Sequence, residues 1–130
     1  MTPAMHKRTI FLLALVGLCG CSRAIDPPGD ALAQSLAGRV AGTPRSCISI
    51  NSIDNLRVID PTTIGYGSGS TIYVNQLRAP CSGARQLNTI IVDAHGSQYC
   101  NGDHFQVIEP GSIIPGPACF MGDWVPYRRP

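Results

Sequence analysis

From residue 47 onward, apolar and polar positions alternate in short bursts that Gly and Pro interrupt. Residues 47–50 put Ile48 and Ile50 on one face, residues 51–55 break the pattern, and 56–59 resume it. Asp60-Pro61 reads as a turn, and the β-type runs 62–66 and 71–77 flank Gly67-Ser68-Gly69-Ser70, a four-residue hairpin loop by composition. Further runs cover 88–93, 105–109 and 120–125, separated by turn-formers at 94–97, 101–103 and 110–117. This rhythm predicts an all-β domain over 45–130, with about six short strands closing into a small antiparallel barrel or sandwich. Upstream, residues 21–44 read as a tether. Pro27-Pro28-Gly29 disfavours regular structure. Asp30 could then cap a marginal helix whose stripe is Leu32, Leu36 and Val40, and a flexible spacer fits the same residues equally well.

One apolar run is different in kind. Residues 10–18 come after His6-Lys7-Arg8 and contain no charge, yet they are about half of the roughly 20 residues a membrane-spanning helix needs. That length and its basic flank fit the core of an export signal. The end of the run, Leu18-Cys19-Gly20-Cys21, resembles a bacterial lipobox: an aliphatic residue, a tolerant position, a small residue, then cysteine. Cys19 fits less well, since bulky Leu18 precedes it. The resemblance implies cleavage after residue 20, diacylglycerol on the Cys21 sulfur and a palmitate-like acyl chain on the new amino terminus, an anchor strong enough to be stable. Ser22 behind the cysteine resembles the signal that sorts such proteins to the outer membrane, facing the periplasm. Ordinary secretion with cleavage after Ala24 and an uncleaved anchor are the alternatives.

Charge narrows the partners. The formal charge of +2 comes from Lys7 and Arg8, ahead of the expected cleavage point; beyond it, arginines and acidic residues are equal in number. Such a balance gives no net field to draw the domain onto nucleic acid. Cys47, Cys81, Cys100 and Cys119 remain as an even set, which in an oxidising compartment reads as two disulfides; no zinc-type spacing occurs. Four cysteines allow three pairings. If the strands run up and down in chain order, Cys47 and Cys100 share one end and Cys81 and Cys119 the other, so the expected bridges are Cys47–Cys100 and Cys81–Cys119.

Arg45-Ser46-Cys47-Ile48, Val58-Ile59-Asp60 with Thr63-Ile64, Tyr73 to Leu77 leading to Cys81, Cys100-Asn101-Gly102-Asp103, and Cys119 with Gly122 and Pro126 beyond it together resemble a family of small proteobacterial envelope proteins. Its domain is an uncharacterised one with four spaced cysteines, often behind a lipobox. The resemblance spans about residues 45–127 and implies a compartment and a cysteine pattern, but no mechanism and no cofactor.

Candidate chemistry is sparse. His95, Cys100, Asp103 and His104 fall within ten residues and supply ligand types that zinc or copper accept, although an oxidised Cys100 and an Asn-Gly turn closed by Asp103 are the plainer reading. The glycines of 65–69 lie between strands rather than ahead of a helix, which speaks against a phosphate cradle. Asp103 and Asp123 each come directly after a Gly and are a conceivable carboxylate pair. Tyr66, Tyr73, Tyr99, Trp124 and Tyr127 could form an aromatic surface, with Tyr73 and Trp124 better placed for a core. The leading expectation is a non-enzymatic, membrane-anchored envelope lipoprotein that binds a protein or envelope component. A small hydrolase using loop Asp and His residues is the alternative. A third class is an inhibitor-like module presenting residues 67–70 or 112–117.

Overall fold

The computed structural model describes residues 28–130; the export signal, Cys21 and the start of the tether lie outside the described residues. Helix α1 spans Pro28–Leu36 and is succeeded by ten short strands: β1 Val40–Ala41, β2 Cys47–Ser49, β3 Leu56–Asp60, β4 Thr63–Tyr66, β5 Thr71–Gln76, β6 Thr89–Val92, β7 Gln98–Cys100, β8 His104–Ile108, β9 Cys119–Phe120 and β10 Trp124–Arg128. They form three antiparallel sheets, ordered β1-β10-β5-β4-β3, β6-β8-β9 and β2-β7. The fold is all-β, as the alternation implies, but the sheets do not close into a barrel, and the strands outnumber the expected six because several are only two or three residues long.

The β3-β4-β5 meander arises from local chemistry. Asp60 Oδ1 accepts from the Thr62 N–H and hydroxyl, both at 2.8 Å, which fixes the first turn. Gly67 and Gly69, with φ of 91° and 68°, supply the left-handed positions of the second. Period-2 alternation then sends Ile64, Tyr66, Phe105, Val107 and Trp124 into a common core with Ile48, Val58, Leu77 and Met121, drawn from all three sheets. Ile59, Ile72 and Val74 are buried outside that cluster, on the sheet face where α1 packs on β3. Gly65 leaves room there: a Cβ on it would stand 3.0 Å from Ile59 Cδ1.

Only the later part of the tether expected over 21–44 lies among the described residues. α1 begins at Pro28, a residue suited to a first turn, and Asp30 lies inside that turn, facing the positive helix end, rather than capping it. The helical stripe stops before Val40 because Gly38 takes φ 69° and the Arg39 N–H returns to the Leu36 carbonyl at 3.0 Å. Val40 and Ala41 then pair with Arg128 and Tyr127, so the folded unit starts ahead of residue 45.

Cys47 is bonded to Cys100, and Cys81 to Cys119. The pairing is the expected one, but the up-and-down route to it is not the chain's. Residues 51–55 reverse the chain and put β2 in its own two-stranded sheet, where Cys47 lies directly opposite Cys100 with Cα atoms 4.1 Å apart. The second bridge spans 5.4 Å between Cα atoms and ties the β5–β6 connection to the start of β9.

Candidate functional site

The His/Cys/Asp constellation disperses on folding. Cys100 is oxidised, and Asp103 Oδ2 accepts from the Cys100 N–H at 2.7 Å, closing the turn between β7 and β8. His95 is exposed in the loop before β7, while His104 starts β8 with Nε2 3.6 Å from Asp93 Oδ2 and its ring beside Phe120. Among the described residues no group of three or more His, Cys, Asp or Glu side chains is arranged to hold a metal ion. Asp103 and Asp123 are both spent on the same turn: Asp123 Oδ1 accepts from Asn101 Nδ2 at 2.6 Å, while Asn101 Oδ1 accepts from the Arg78 guanidinium. Each carboxylate thus gives one oxygen to a contact within this turn.

The loop at 67–70 is equally committed. Arg39 donates to the carbonyls of Ser70 at 3.0 Å and Gly69 at 2.7 Å, and Arg57 donates to that of Gly67 at 2.8 Å. The Ser68 hydroxyl reaches Asp54 Oδ1 at 2.6 Å, and Asn51 Nδ2 reaches Oδ2 at 2.8 Å. These two hydrogen bonds hold the Asp54 carboxyl below its ordinary pKa, the Ser68 bond first. Burial, and after it the Arg39 charge, pushes the Arg57 guanidinium down. A polar cleft of about 480 Å³ beside this loop is lined by Arg45, Ser49, Asp54, Ser68, Thr71 and Gln98 among others. The hairpin tip is therefore a clamped corner whose residues 68–70 are exposed to solvent.

The aromatic set is mostly core. Trp124 and Tyr66 are fully buried, Tyr99 stacks on Trp124 with centroids 6.5 Å apart, and Tyr66 meets Tyr99 edge-on at 5.6 Å. The Tyr66 hydroxyl accepts from the Asn51 N–H at 2.7 Å and thereby holds the 51–54 turn.

A different part of the molecule faces water with apolar side chains. Thr89 of β6 pairs with Ile108 of β8, so the chain before β6 and the chain after β8 leave the same end of one ladder. The first of these segments begins at Cys81 and carries Leu87, 90% exposed; the second ends at Cys119 and carries Ile113 and Ile114, 92% and 76% exposed. The Cys81–Cys119 bridge joins the two. Both are stiff. The Ser112 N–H donates to the Glu109 carbonyl at 2.9 Å, the Ile114 N–H to the Ser112 hydroxyl at 3.1 Å, and Gln106 Nε2 and Val107 hold Gly116 through its carbonyl and N–H. Pro110, Pro115 and Pro117 fix φ along the same segment. In the facing loop, Asn88 Nδ2 donates to the Gly83 carbonyl at 2.8 Å, and Leu87 sits at φ 74°, a left-handed conformation unusual for a bulky residue. Between the loops lies a shallow cleft of about 360 Å³, lined by Ser82, Val107, Glu109, Ile114 and Pro117 among others.

No protein-family model, curated protein or solved structure matches the chain. Of the loops singled out from sequence, 112–117 is the one that displays large apolar side chains. Leu87 was not anticipated. Its only mark in the sequence is an apolar residue among the turn-formers between Cys81 and Asn88, a signal that exposed and buried leucines share.

Proposed function

We propose that the chain is a lipoprotein of the cell envelope, anchored by lipid at Cys21 in the outer membrane and facing the periplasm, and that its domain works by binding a protein or envelope component rather than by catalysis. One observation carries this reading: a disulfide, Cys81–Cys119, holds together two solvent-facing loops that display Leu87, Ile113 and Ile114. Disulfides persist in exported proteins and are rare where thiols are kept reduced. Exposed apolar side chains on stiff loops cost little further entropy when covered, the property that favours recognition. The candidate acid–base groups, by contrast, are taken up in turns or stand apart on exposed loops.

In-cell cross-linking of the full-length chain, with identification of the joined species, tests the binding reading. Discrete cross-linked species are expected. Cells in which the chain cross-links to nothing, at every surface position probed, would sink it.

A further inference from the structure

The two disulfides sit in different surroundings. Cys81 and Cys119, 1% and 6% exposed, belong to the hydrophobic core, so a reductant reaches their sulfurs only when the domain opens. Cys47 and Cys100 are both partly exposed and stand outside that core. Cys47 also lines the polar cleft of about 480 Å³, together with Arg45 and a single carboxylate, Asp54, whose two oxygens already accept from Ser68 and Asn51. A thiolate entering that cleft therefore meets a guanidinium. The register of β2 on β7 shows what remains once the bridge opens. Cys47 lies opposite Cys100 at a position where the two residues exchange no backbone hydrogen bonds. The bonds run on either side, from the Asn101 N–H to the Ser46 carbonyl at 2.7 Å and from the Ile50 N–H to the Ser97 carbonyl at 2.9 Å. The Cys100 N–H is turned outward to Asp103 Oδ2. Those bonds hold the strands together without the bridge, and with Cα atoms 4.1 Å apart the two thiols stay within reach of each other.

We infer that Cys47–Cys100 is a site of reversible thiol–disulfide exchange with a dithiol, while Cys81–Cys119 is a permanent brace. A thiolate of the dithiol attacks one sulfur of the bridge, the S–S bond breaks, and the other sulfur leaves as a thiolate that takes a proton. The second thiol of the dithiol then attacks the mixed disulfide and releases the first cysteine. Two electrons and two protons pass to Cys47 and Cys100, and the dithiol becomes a disulfide. The same steps in reverse re-form the bridge. Exposed bridges are the exchangeable kind, and shielded structural ones resist reduction. The site uses neither of the two apolar loops, so its fate is separate from that of the binding reading.

The test uses the full-length chain, purified in detergent without denaturant, and two reductants: dithiothreitol, a small dithiol, and reduced thioredoxin, a protein dithiol. Samples are quenched in acid at intervals, alkylated and peptide-mapped, which gives the reduced fraction of each cysteine. Cys47 and Cys100 should be alkylated together, roughly tenfold faster than Cys81 and Cys119 or more, because the buried bridge waits for the domain to open. Trp124, the chain's only tryptophan, is fully buried and stacks on Tyr99 of β7, so its emission reports on the fold. In the species reduced only at Cys47 and Cys100 the emission should stay at the short wavelength of a buried indole. Dilution of that species into an oxidised dithiol should restore the Cys47–Cys100 peptide. Opening by dithiothreitol alone keeps the site and assigns it to small thiols, and opening by both extends it to proteins. Equal rates for the two bridges, or earlier loss of Cys81–Cys119, overturn the inference. A Cys47–Cys100 bridge that resists both reductants until denaturant is added overturns it as well. So does an opening that shifts the Trp124 emission to that of an unfolded chain, or one that reoxidises to other pairings, since the bridge is then a brace and not an exchange site.

Discussion

Asn75 is fully buried, and its side chain makes a reciprocal pair of bonds with one residue: Nδ2 donates to the Gly122 carbonyl and Oδ1 accepts from the Gly122 N–H, both at 2.8 Å. The link fastens the β9–β10 connection to the end of β5, just beyond the Asn75–Trp124 strand pair. Gly122 cannot be larger, because a Cβ there would sit far inside contact distance of the Gln76 carbonyl oxygen. Asn75→Ala leaves two backbone groups buried without partners, each costing about 1–3 kcal/mol. A total near 3 kcal/mol is a large part of the roughly 5–15 kcal/mol that holds a small domain together. With a urea m-value of about 1.5 kcal/mol/M, the midpoint should fall by about 2 M. Asn75→Asp separates geometry from charge. A carboxylate accepts from the Gly122 N–H but cannot donate to its carbonyl, and burial raises its pKa in the folded state. A raised folded pKa gives stability that is present at low pH and lost as pH rises through that value. Asn75→Asp should therefore be strongly destabilised at neutral pH and recover part of its loss in acid. Urea titrations of both variants, disulfides intact, are the assay. A midpoint within about 0.3 M of the parent for Asn75→Ala would refute the clamp, given an m-value of that size.

Single contacts carry the other expectations. Leu87→Gly removes an exposed side chain and a left-handed strain of about 1–2 kcal/mol, offset in part by the entropy of a freer unfolded chain, so thermal melting should show an unchanged or higher midpoint. A clear drop would mean that Leu87 packs against something. For Asp54, whose folded pKa is depressed, the stabilising contact is present above the unfolded value and lost as pH falls through the folded one. Ser68→Ala should move the Asp54 carboxyl titration upward in an NMR pH series, and no movement would contradict the Ser68 bond. Replacing Cys81 and Cys119 together by Ser opens a loop of 38 residues, which the chain-entropy model values at about 4 kcal/mol. Denaturant unfolding should show a loss of that order, and a loss under about 1 kcal/mol would argue that the loops stand without their bridge.

Much of the fold was legible because the strands obey a local rule. Phe105 and Val107 point inward while His104 and Gln106 do not, as two-residue periodicity requires, and the turns at Asp60-Pro61 and Gly67 to Ser70 carry their own chemistry. Strand order was not legible, since β10 inserts between β1 and β5 through contacts distant in the chain. β7 lies among glycine and serine and owes its existence to β2 and the Cys47–Cys100 bridge, a partner no local pattern shows. The candidate site divides the same way. The 112–117 segment stood out by its Pro and Gly content. The joining of that segment to the 81–88 loop depends on the β6–β8 register and the second disulfide, both tertiary facts. Likewise His95, Asp103 and His104 are neighbours in sequence, but the turn closed by Asp103 and the pairing of β8 give them separate employments.

Membrane fractionation of the parent and of Cys21→Ala asks whether a lipid at Cys21 holds this chain to a membrane. No helix among the described residues is long and apolar enough to cross a membrane, and the apolar run at 10–18 is too short to do so. The parent should pellet with membranes through a high-salt wash and take up radiolabelled fatty acid. Cys21→Ala should take up none, stay uncleaved at that site and leave the membrane fraction. A Cys21→Ala protein that still pellets after the wash, or a parent that incorporates no fatty acid, would contradict a lipid anchor at Cys21.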